Sequence, residues 1–236
     1  ITSRKEIGKD AVTFFQNMSM SNLEGQYQHL WVAPSNLKSS ILKEIDNQIN
    51  LAKQHQPARI RIKMNSFTDL DIIHKISEAS MAGVKIEMII RGICCLLPGL
   101  ENATENITIR SIVGRYLEHS RIYCFGDEKD IKIYIASADC MTRNTEKPVE
   151  IGCPIQDEKL KNQILEYFTL LMSDNIKARE LCSDGHYKQI ISQEAPLNSQ
   201  EECMHLAIQI TQEIKKSEKG LFQHIIKSLR KGAYAP

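Results

Sequence analysis

The sequence predicts an α/β fold, in which helices flank a mixed sheet and a helical appendage lies at the C-terminus. Strand and helix patterns alternate over residues 27–90, which is typical of α/β domains. Short strand-like segments with tight connections follow, and amphipathic helix patterns close the chain. With 236 residues, of which 42% are hydrophobic and 25% charged, the chain has ample material for a buried core.

The first half of the chain predicts a parallel sheet with right-handed crossovers. Ser35 or Asn36 is suited to cap the second helix, and Thr68 with Asp71 resembles a capping box for the third. In order, the patterns predict a helix over 5–17, a strand over 27–34, a helix from 37 to before Pro57, a strand over 58–65, a helix over 69–83 and a strand over 84–90.

The second half contains strands without long helices between them. An amphipathic helix is predicted over about 158–173, the chain from 185 reads as polar and irregular, and two closing helices are predicted near 200–216 and 219–230. The short strands are predicted over 106–114, 121–125, 131–137 and 149–155.

Composition excludes few functions. The net charge of +1 argues neither for nor against a nucleic-acid partner. The seven cysteines include no Cys-x-x-Cys pair, so we expect free thiols in a reducing compartment and no zinc ribbon.

No signal peptide and no run of roughly 20 apolar residues is present. The chain begins with Ile1, and we expect it to be part of a longer protein.

Arg91 is a candidate phosphate ligand because it follows a buried-looking strand directly, where ligands bind in open α/β sheets. A guanidinium can hold phosphate oxygens with two parallel hydrogen bonds. Gly92 lets the backbone approach a ligand closely. The alternative is an ordinary salt bridge at a strand end.

Other polar and basic residues end or begin predicted strands, and we expect them to converge on one anionic site. The alternative is a set of unrelated surface features. The residues are Lys63, Asn65 and Ser66 after one strand, Ser137, Asp139, Arg143 and Asn144 after another, and His119 before a third.

No motif predicts a metal site or a familiar nucleotide loop. The sequence has no Walker loop, no G-x-G-x-x-G and no paired-histidine metal motif, so a metal bound wholly by this chain is not expected. The remaining histidines show no partner spacing and are interpreted as ordinary surface or core residues: His29, His55, His74, His186, His205 and His224.

Three long strings, "IIRGICCL", "SIVGRYLEHSRIY" and "YIASADCMTRN", make the chain resemble the C-terminal region of bacterial polyphosphate kinase over roughly residues 1–180. The resemblance implies reversible transfer of the terminal phosphate of ATP to polyphosphate through a phosphohistidine. It also implies a phospholipase D-like fold. Residues 1–27 would then be the tail of a preceding phospholipase D-like domain, residues 28–184 the C-terminal one, and residues 185–236 a helical extension.

The resemblance also implies site roles. Arg91 is similar to the ATP-phosphate arginine of the family, and His119 to its second active-site histidine, near the transferred phosphoryl group. Ser137, Asp139 and Arg143 are expected to contribute to the same cofactor-binding site. ATP, ADP and inorganic polyphosphate are the expected ligands.

The resemblance places other parts of the site outside this chain. The phosphorylated histidine and most of the Mg²⁺ ligands are expected in upstream domains, so this chain alone should be inactive. We expect a cytoplasmic protein that has no nucleic-acid partner and no transmembrane segment. For the full-length protein, membrane association and homo-oligomerisation both stay open.

Two alternatives remain open. The first is a phospholipase D-like phosphodiesterase, for which His119-Ser-Arg121 would stand in place of His-x-Lys and two copies would be needed. The downstream acid of that pattern falls on Gly126, with Asp127 one place late, which disfavours it. The second is a non-catalytic polyphosphate-binding module, because Cys140 stands where the family usually has Trp and Pro148 where a basic residue is common.

Overall fold

A computed structural model describes residues 2–22, 24–127, 130–147 and 149–232, with the side chains of the last helix described as far as Lys216. Within these residues the strands form one sheet, in the order β1-β7-β6-β5-β2-β3-β4-β8-β9. The strands are β1 Trp31–Val32, β2 Arg59–Met64, β3 Lys85–Ile90, β4 Ile107–Ile112, β5 Arg121–Phe125, β6 Lys132–Ala136, β7 Ile151–Ile155, β8 Ala178–Leu181 and β9 Tyr187–Gln189. The helices are α1 Lys5–Ser19, α2 Leu37–Lys53, α3 Leu70–Met81, α4 Thr142–Glu146, α5 Glu158–Met172 and α6 Ser199–Gly232.

The sheet is mixed, as predicted. Strands β2, β3 and β4 are parallel, whereas β5, β6 and β7 continue the sheet in antiparallel pairs. Lys63 pairs with Ile122 between β2 and β5, and Arg121 pairs with Ala136 between β5 and β6. The C-terminal ends of β2, β3 and β6 and the N-terminal end of β5 therefore share one edge of the sheet, which we call the site edge.

The main core lies between the sheet and the helices α2 and α3. Apolar residues three to four positions apart face the sheet, and Ile41, Ile45 and Ile76 are fully buried there. Each such side chain contributes about 1.5–3 kcal/mol through burial. On the other face, Phe168 and Leu171 of α5 pack against Ile89 and Ile112, among others.

Helix α3 begins one residue later than the predicted capping box. Asp69, rather than Thr68, is the N-cap, and its carboxylate accepts a hydrogen bond from Ile72 N at 3.2 Å. Thr68 instead donates its backbone N–H to the carbonyl of Cys140, at 2.8 Å. Asn36 does occupy the N-cap position of α2, although no side-chain capping bond forms there.

The strand predicted over 27–34 shortens to β1. Hydrogen bonds from His29 N and Leu30 N to the Asp10 carboxylate, at 2.6 and 2.9 Å, take the place of a strand ladder there. Because Asp10 lies on α1, this connection also fixes α1 against the start of the sheet domain.

The C-terminal part differs from the prediction in two places. Strand β9 lies within the stretch predicted to be irregular and pairs with β8, which the sequence patterns did not predict. The two predicted closing helices are one continuous helix, α6. A polar stretch with one glycine, Gly220, does not end a helix, because an interior glycine costs only about 1 kcal/mol relative to alanine.

No helix in the described part of the chain combines the length and the apolar character that crossing a membrane requires.

Candidate active site

Three loops interlock at the site edge. The loop after β2 lies between the loops after β3 and β6, because Phe67 forms bridges to both Cys94 and Cys140. Phe67 N donates to Ile93 O at 2.8 Å, and Cys95 N donates to Phe67 O at 2.9 Å. Side chains from three separate strand ends are therefore held in fixed relation to one another.

Arg91, half-buried at the end of β3, is oriented by the loop after β2. Its Nε donates to Asn65 Oδ1 at 2.6 Å, and Gly92 N donates to Asn65 O at 2.8 Å. The close approach requires glycine, since a Cβ at position 92 would lie 2.7 Å from Asn65 O. No described residue contacts the two terminal guanidinium nitrogens of Arg91 through a hydrogen bond or salt bridge, which leaves them available to an anion.

Asp139 links the loop after β6 to both neighbouring elements. It is 7% exposed and accepts hydrogen bonds from the backbone N of Asn65 at 2.8 Å and from its side-chain amide. Arg121 donates to the same carboxylate from Nε and Nη2, at 3.2 Å each. Asp139 is thus acceptor to two groups that flank the site, and its charge offsets that of Arg121.

His119 is exposed at the N-terminal side of β5 and is contacted by Arg121. Arg121 Nη1 lies 3.0 Å from His119 Nδ1 and 3.0 Å from His119 O. Nη1 also lies 3.4 Å from His119 Nε2. A guanidinium can only donate, so the ring nitrogen that accepts from it is the unprotonated one, and the shorter distance favours Nδ1 as this acceptor. The imidazole can therefore present an N–H to a group that approaches from solvent.

Lys63 lies beneath His119 with 1% of its side chain exposed. Its Nζ is 2.8 Å from Ser120 Oγ and 3.3 Å from the Glu118 carboxylate. Burial lowers the pKa of Lys63, while the adjacent Glu118 acts in the opposite direction. The sequence marked Lys63 and Asn65 as polar strand-end residues, but it gave no sign of their partners.

Ser137 and Arg143 lie at the same edge but in different surroundings. The Ser137 hydroxyl donates to the Glu150 carboxylate and accepts from Ile151 N. Asn144 also donates to Glu150, at 2.5 Å. Arg143 is exposed on α4, and its side chain forms no hydrogen bond or salt bridge with the described residues.

The predicted site residues are therefore gathered at one edge of the sheet. Arg91 and His119 are connected through an unbroken series of hydrogen-bonded side chains: Arg91, Asn65, Asp139, Arg121 and His119. Ser137 shares the edge but is turned toward Glu150. Sequence reasoning missed Glu150 as a partner, and no periodic pattern could have identified it.

Cys140 belongs to the core and not to the surface of the site. It is fully buried, its Sγ lies 3.7 Å from the Tyr123 hydroxyl, and burial raises the pKa of its thiol. The residue at position 140 therefore packs beneath the loops and does not line the surface of the site. Pro148, the other departure from the family pattern, lies outside the described residues.

The carboxylates around His119 are engaged by cationic side chains. The two carboxylates nearest His119 are Glu118 and Asp139, and both are already hydrogen-bonded to cationic side chains. Among the residues that the structure describes, no three His, Cys, Asp or Glu side chains are grouped as metal ligands.

A cavity of about 860 Å³ lies at the opposite edge of the sheet, away from every predicted site residue. Among the residues that the structure describes, its charged lining residues are Glu44, Asp127, Asp130 and Lys132, so carboxylates outnumber cations in that set. A phosphate-bearing ligand is disfavoured there by like-charge repulsion.

The sequence matches the family described as polyphosphate kinase C-terminal domain 2 over residues 30–200. Polyphosphate kinase of Staphylococcus haemolyticus (strain JCSC1435) is 46% identical over 216 residues, covering 92% of this chain and 30% of the relative. Polyphosphate kinase of Bacillus cereus (strain ATCC 14579) is 46% identical over 212 residues, covering 89% of this chain and 30% of the relative. The chain thus spans less than a third of the length of these relatives.

Solved structures give the same result. The crystal structure of polyphosphate kinase from Porphyromonas gingivalis superposes with a TM-score of 0.82 at 32% identity, over 90% of this chain and 33% of that one. Nuc from Salmonella typhimurium, a phospholipase D family member, has a TM-score of 0.50 at 18% identity, over 65% of this chain and 97% of that one, and shows the likeness of fold alone. The predicted phospholipase D-like fold is confirmed, and the chain belongs to the polyphosphate kinase family as its C-terminal region.

Proposed function

We propose that this region supplies phosphate-binding and proton-donating groups for the reversible transfer of the terminal phosphate of ATP to polyphosphate. A phosphohistidine would carry the phosphoryl group, and we place it in the region that precedes this one in the relatives. The observation that carries the proposal is the hydrogen-bonded series that connects Arg91 to His119 along one edge of the sheet. Phosphoryl transfer depends mainly on positioning and charge neutralisation, and these groups can provide both.

Arg91 would hold phosphate oxygens of ATP. Its Nε is already engaged with Asn65, so the guanidinium plane is fixed before a ligand arrives. Its two terminal nitrogens form a pair suited to a phosphate group. Preorganised donors of this kind stabilise developing charge without reorganisation during the reaction.

His119 would act on the leaving oxygen. Arg121 Nη1 is closer to Nδ1 than to Nε2, so Nε2–H is the ring donor that would meet an incoming ligand. In the neutral ring this N–H can stabilise the oxygen from which the phosphoryl group departs through a hydrogen bond. To transfer a proton to that oxygen the ring must first be protonated on both nitrogens, and Nδ1 then no longer accepts from Arg121. The neighbouring guanidinium of Arg121, whose charge Asp139 offsets, would orient the imidazole.

Ser137, Asp139 and Arg143 would complete the cofactor-binding site in different ways. Arg143 is exposed and can approach a phosphate directly. Asp139 would contribute through Asn65 and Arg121, since its carboxylate is buried between them. Ser137 would contribute through its hydrogen bond with Glu150.

The rest of the reaction would depend on residues outside this chain. ATP, ADP and inorganic polyphosphate are the proposed ligands, in a cytoplasmic protein. Magnesium would accompany the nucleotide, with protein ligands mainly from the preceding region, because the local carboxylates are engaged by Lys63 and Arg121. We therefore expect the chain alone to show no ATP-to-polyphosphate transfer.

A phosphodiesterase is the second candidate, and the structural likeness to Nuc is the observation in its favour. That activity would require two copies of His119 in one site. Hydrolysis of a model phosphodiester by the purified chain, absent in His119→Ala, would favour it over the kinase proposal.

The deciding experiment compares His119→Ala with His74→Ala in a full-length polyphosphate kinase that carries this sequence. General acid catalysis contributes about 10²–10⁴ in rate, so His119→Ala should reduce kcat by roughly that factor. His74 is exposed on α3 and takes no part in the hydrogen-bonded series from Arg91 to His119, so His74→Ala should leave kcat nearly unchanged. Near-normal turnover of His119→Ala would refute the role proposed for His119.

A further inference from the structure

Lys63 contacts both neighbours of His119 in the chain. Its Nζ lies 2.8 Å from Ser120 Oγ, 3.3 Å from Ser120 O and 3.3 Å from Glu118 Oε2. Because residues 118 and 120 are both held by the buried ammonium, the side chain between them is directed outward. His119 is accordingly exposed while Lys63 is not.

Helices α5 and α6 hold the same segment from its other side. The Tyr167 hydroxyl donates to Glu118 Oε2 at 3.0 Å, and Gln200 Nε2 donates to Glu118 Oε1 at 2.8 Å. Gln200 is 5% exposed and also exchanges two hydrogen bonds with the backbone of Tyr116, at 3.0 and 2.9 Å. Residues 116–120 are outside regular secondary structure, so these side chains provide the restraint that a strand ladder would otherwise give.

We propose that Lys63 and Gln200 are positioning residues for His119, holding residues 116–120 so that the imidazole faces the transferred phosphoryl group. The inference rests on the proposed function of His119. It extends that function to a residue in the first turn of α6, and so connects the C-terminal helix to the reaction.

A purely structural role explains this arrangement less well. Replacement of a buried ion pair by apolar residues of similar volume is often neutral or stabilising. The cross-strand partners of Lys63 on the same face of the sheet, Ile89 in β3 and Ile122 in β5, are apolar and buried, so an apolar residue would suit this position. The charge at position 63 has its partners in the His119 segment, which is where a positioning role requires them.

The test measures kcat, KM for ATP and thermal stability for Lys63→Met and Gln200→Ala in the full-length protein, beside His119→Ala. A misplacement of about 1 Å can cost up to about 10²-fold in rate. We expect kcat to fall by roughly 10- to 100-fold in both variants, with KM for ATP within about twofold, and Lys63→Arg to recover part of the loss. Lys132→Met is the matched control: it removes a lysine paired with Glu44 at 2.9 Å at the opposite edge, and should leave kcat unchanged.

Each outcome has a distinct meaning. Normal kcat in Gln200→Ala and Lys63→Met, together with a large loss in His119→Ala, would overturn the positioning inference and leave the proposed function intact. Normal kcat in His119→Ala would overturn both. If Lys63→Met does not fold, Gln200→Ala decides alone, since it removes hydrogen bonds to the segment without leaving a buried carboxylate unpaired.

Discussion

Arg121 and Asp139 form a two-point ion pair in which Nε and Nη2 of the guanidinium each lie 3.2 Å from a different carboxylate oxygen. This side-on pairing leaves Nη1 free, and Nη1 contacts His119. A lysine could not reproduce it, because an ammonium is a point charge without a planar fork. Arginine at the third position of His119-Ser-Arg121 therefore fixes the imidazole and Asp139 at the same time.

Asp139→Asn should disturb both stability and catalysis. The amide cannot accept from Arg121 and Asn65 at both of its ends, so charge-assisted bonds are lost, at a cost of about 1.5–3 kcal/mol in the free energy of unfolding. Because Arg121 also holds His119, we expect kcat of the full-length protein to fall as well. Urea unfolding and steady-state kinetics measure the two effects.

Glu87→Gln is the control for Asp139→Asn. It disrupts another ion pair of the same sheet, in which Glu87 lies 2.5 Å from Arg59 Nη2, away from the site edge. We expect a comparable loss of stability with normal kcat. Equal losses of kcat in both variants would mean that Asp139 acts only through stability.

Gly92→Ala should separate Arg91 from Asn65. The added Cβ would lie 2.7 Å from Asn65 O, a backbone atom that cannot move away cheaply. Overpacking of this kind costs about 1–3 kcal/mol, and we expect KM for ATP to rise because the guanidinium loses its fixed orientation. Differential scanning calorimetry and ATP titration of the rate give the two quantities.

Gly8→Ala provides the opposite case for the same substitution. No atom lies within 4 Å of a Cβ built at Gly8, which is in α1. Replacing a helical glycine by alanine should stabilise the protein by up to about 1 kcal/mol. A stable, fully active Gly92→Ala variant would contradict the assigned role of the close approach.

Sequence periodicity was sufficient for the parts of the fold that depend on apolar burial. The α2, α3 and α5 patterns and the strands β2 to β7 each have residues that recur at the spacing of their buried face, and their positions agree with the structure within a few residues. Periodicity did not predict β8 and β9. These are the last two strands on one side of the sheet, and most of their side chains are exposed, as in Arg179 and Lys188. Their sequences therefore show no alternation of apolar residues.

The site was predictable only in part, for a related reason. Strand ends identified Arg91, His119 and Asp139 as neighbours, because chain topology determines which ends meet. Long-range partners such as Gln200, 82 residues from Glu118 in sequence, follow no local rule. The predicted helix break near 217 also relied on local polarity, whereas the backbone of α6 continues through it.

The free energy of unfolding at acidic pH should depend on Asp174, which connects the start of α6 to the end of α5. Its Oδ2 accepts from Ser199 N and Oγ, at 2.8 and 2.7 Å, and its Oδ1 accepts from three backbone N–H groups of residues 176–178. Burial acts to raise the pKa of Asp174, but the hydrogen bonds from Ser199 and the backbone outweigh it and hold the pKa below its ordinary value.

A carboxylate whose native pKa is depressed stabilises the fold fully above its unfolded pKa of about 4, and this contribution disappears as pH falls through the native pKa. Asp174→Asn should therefore be less stable than the wild type at pH 7, because its amide N–H groups would face the donors of Ser199. The gap in free energy of unfolding should narrow as pH falls below about 4. Urea titrations between pH 7 and pH 3 measure this, with the exposed Glu194→Gln as control. A gap that stays constant over this range would show that Asp174 does not titrate as its hydrogen bonds require.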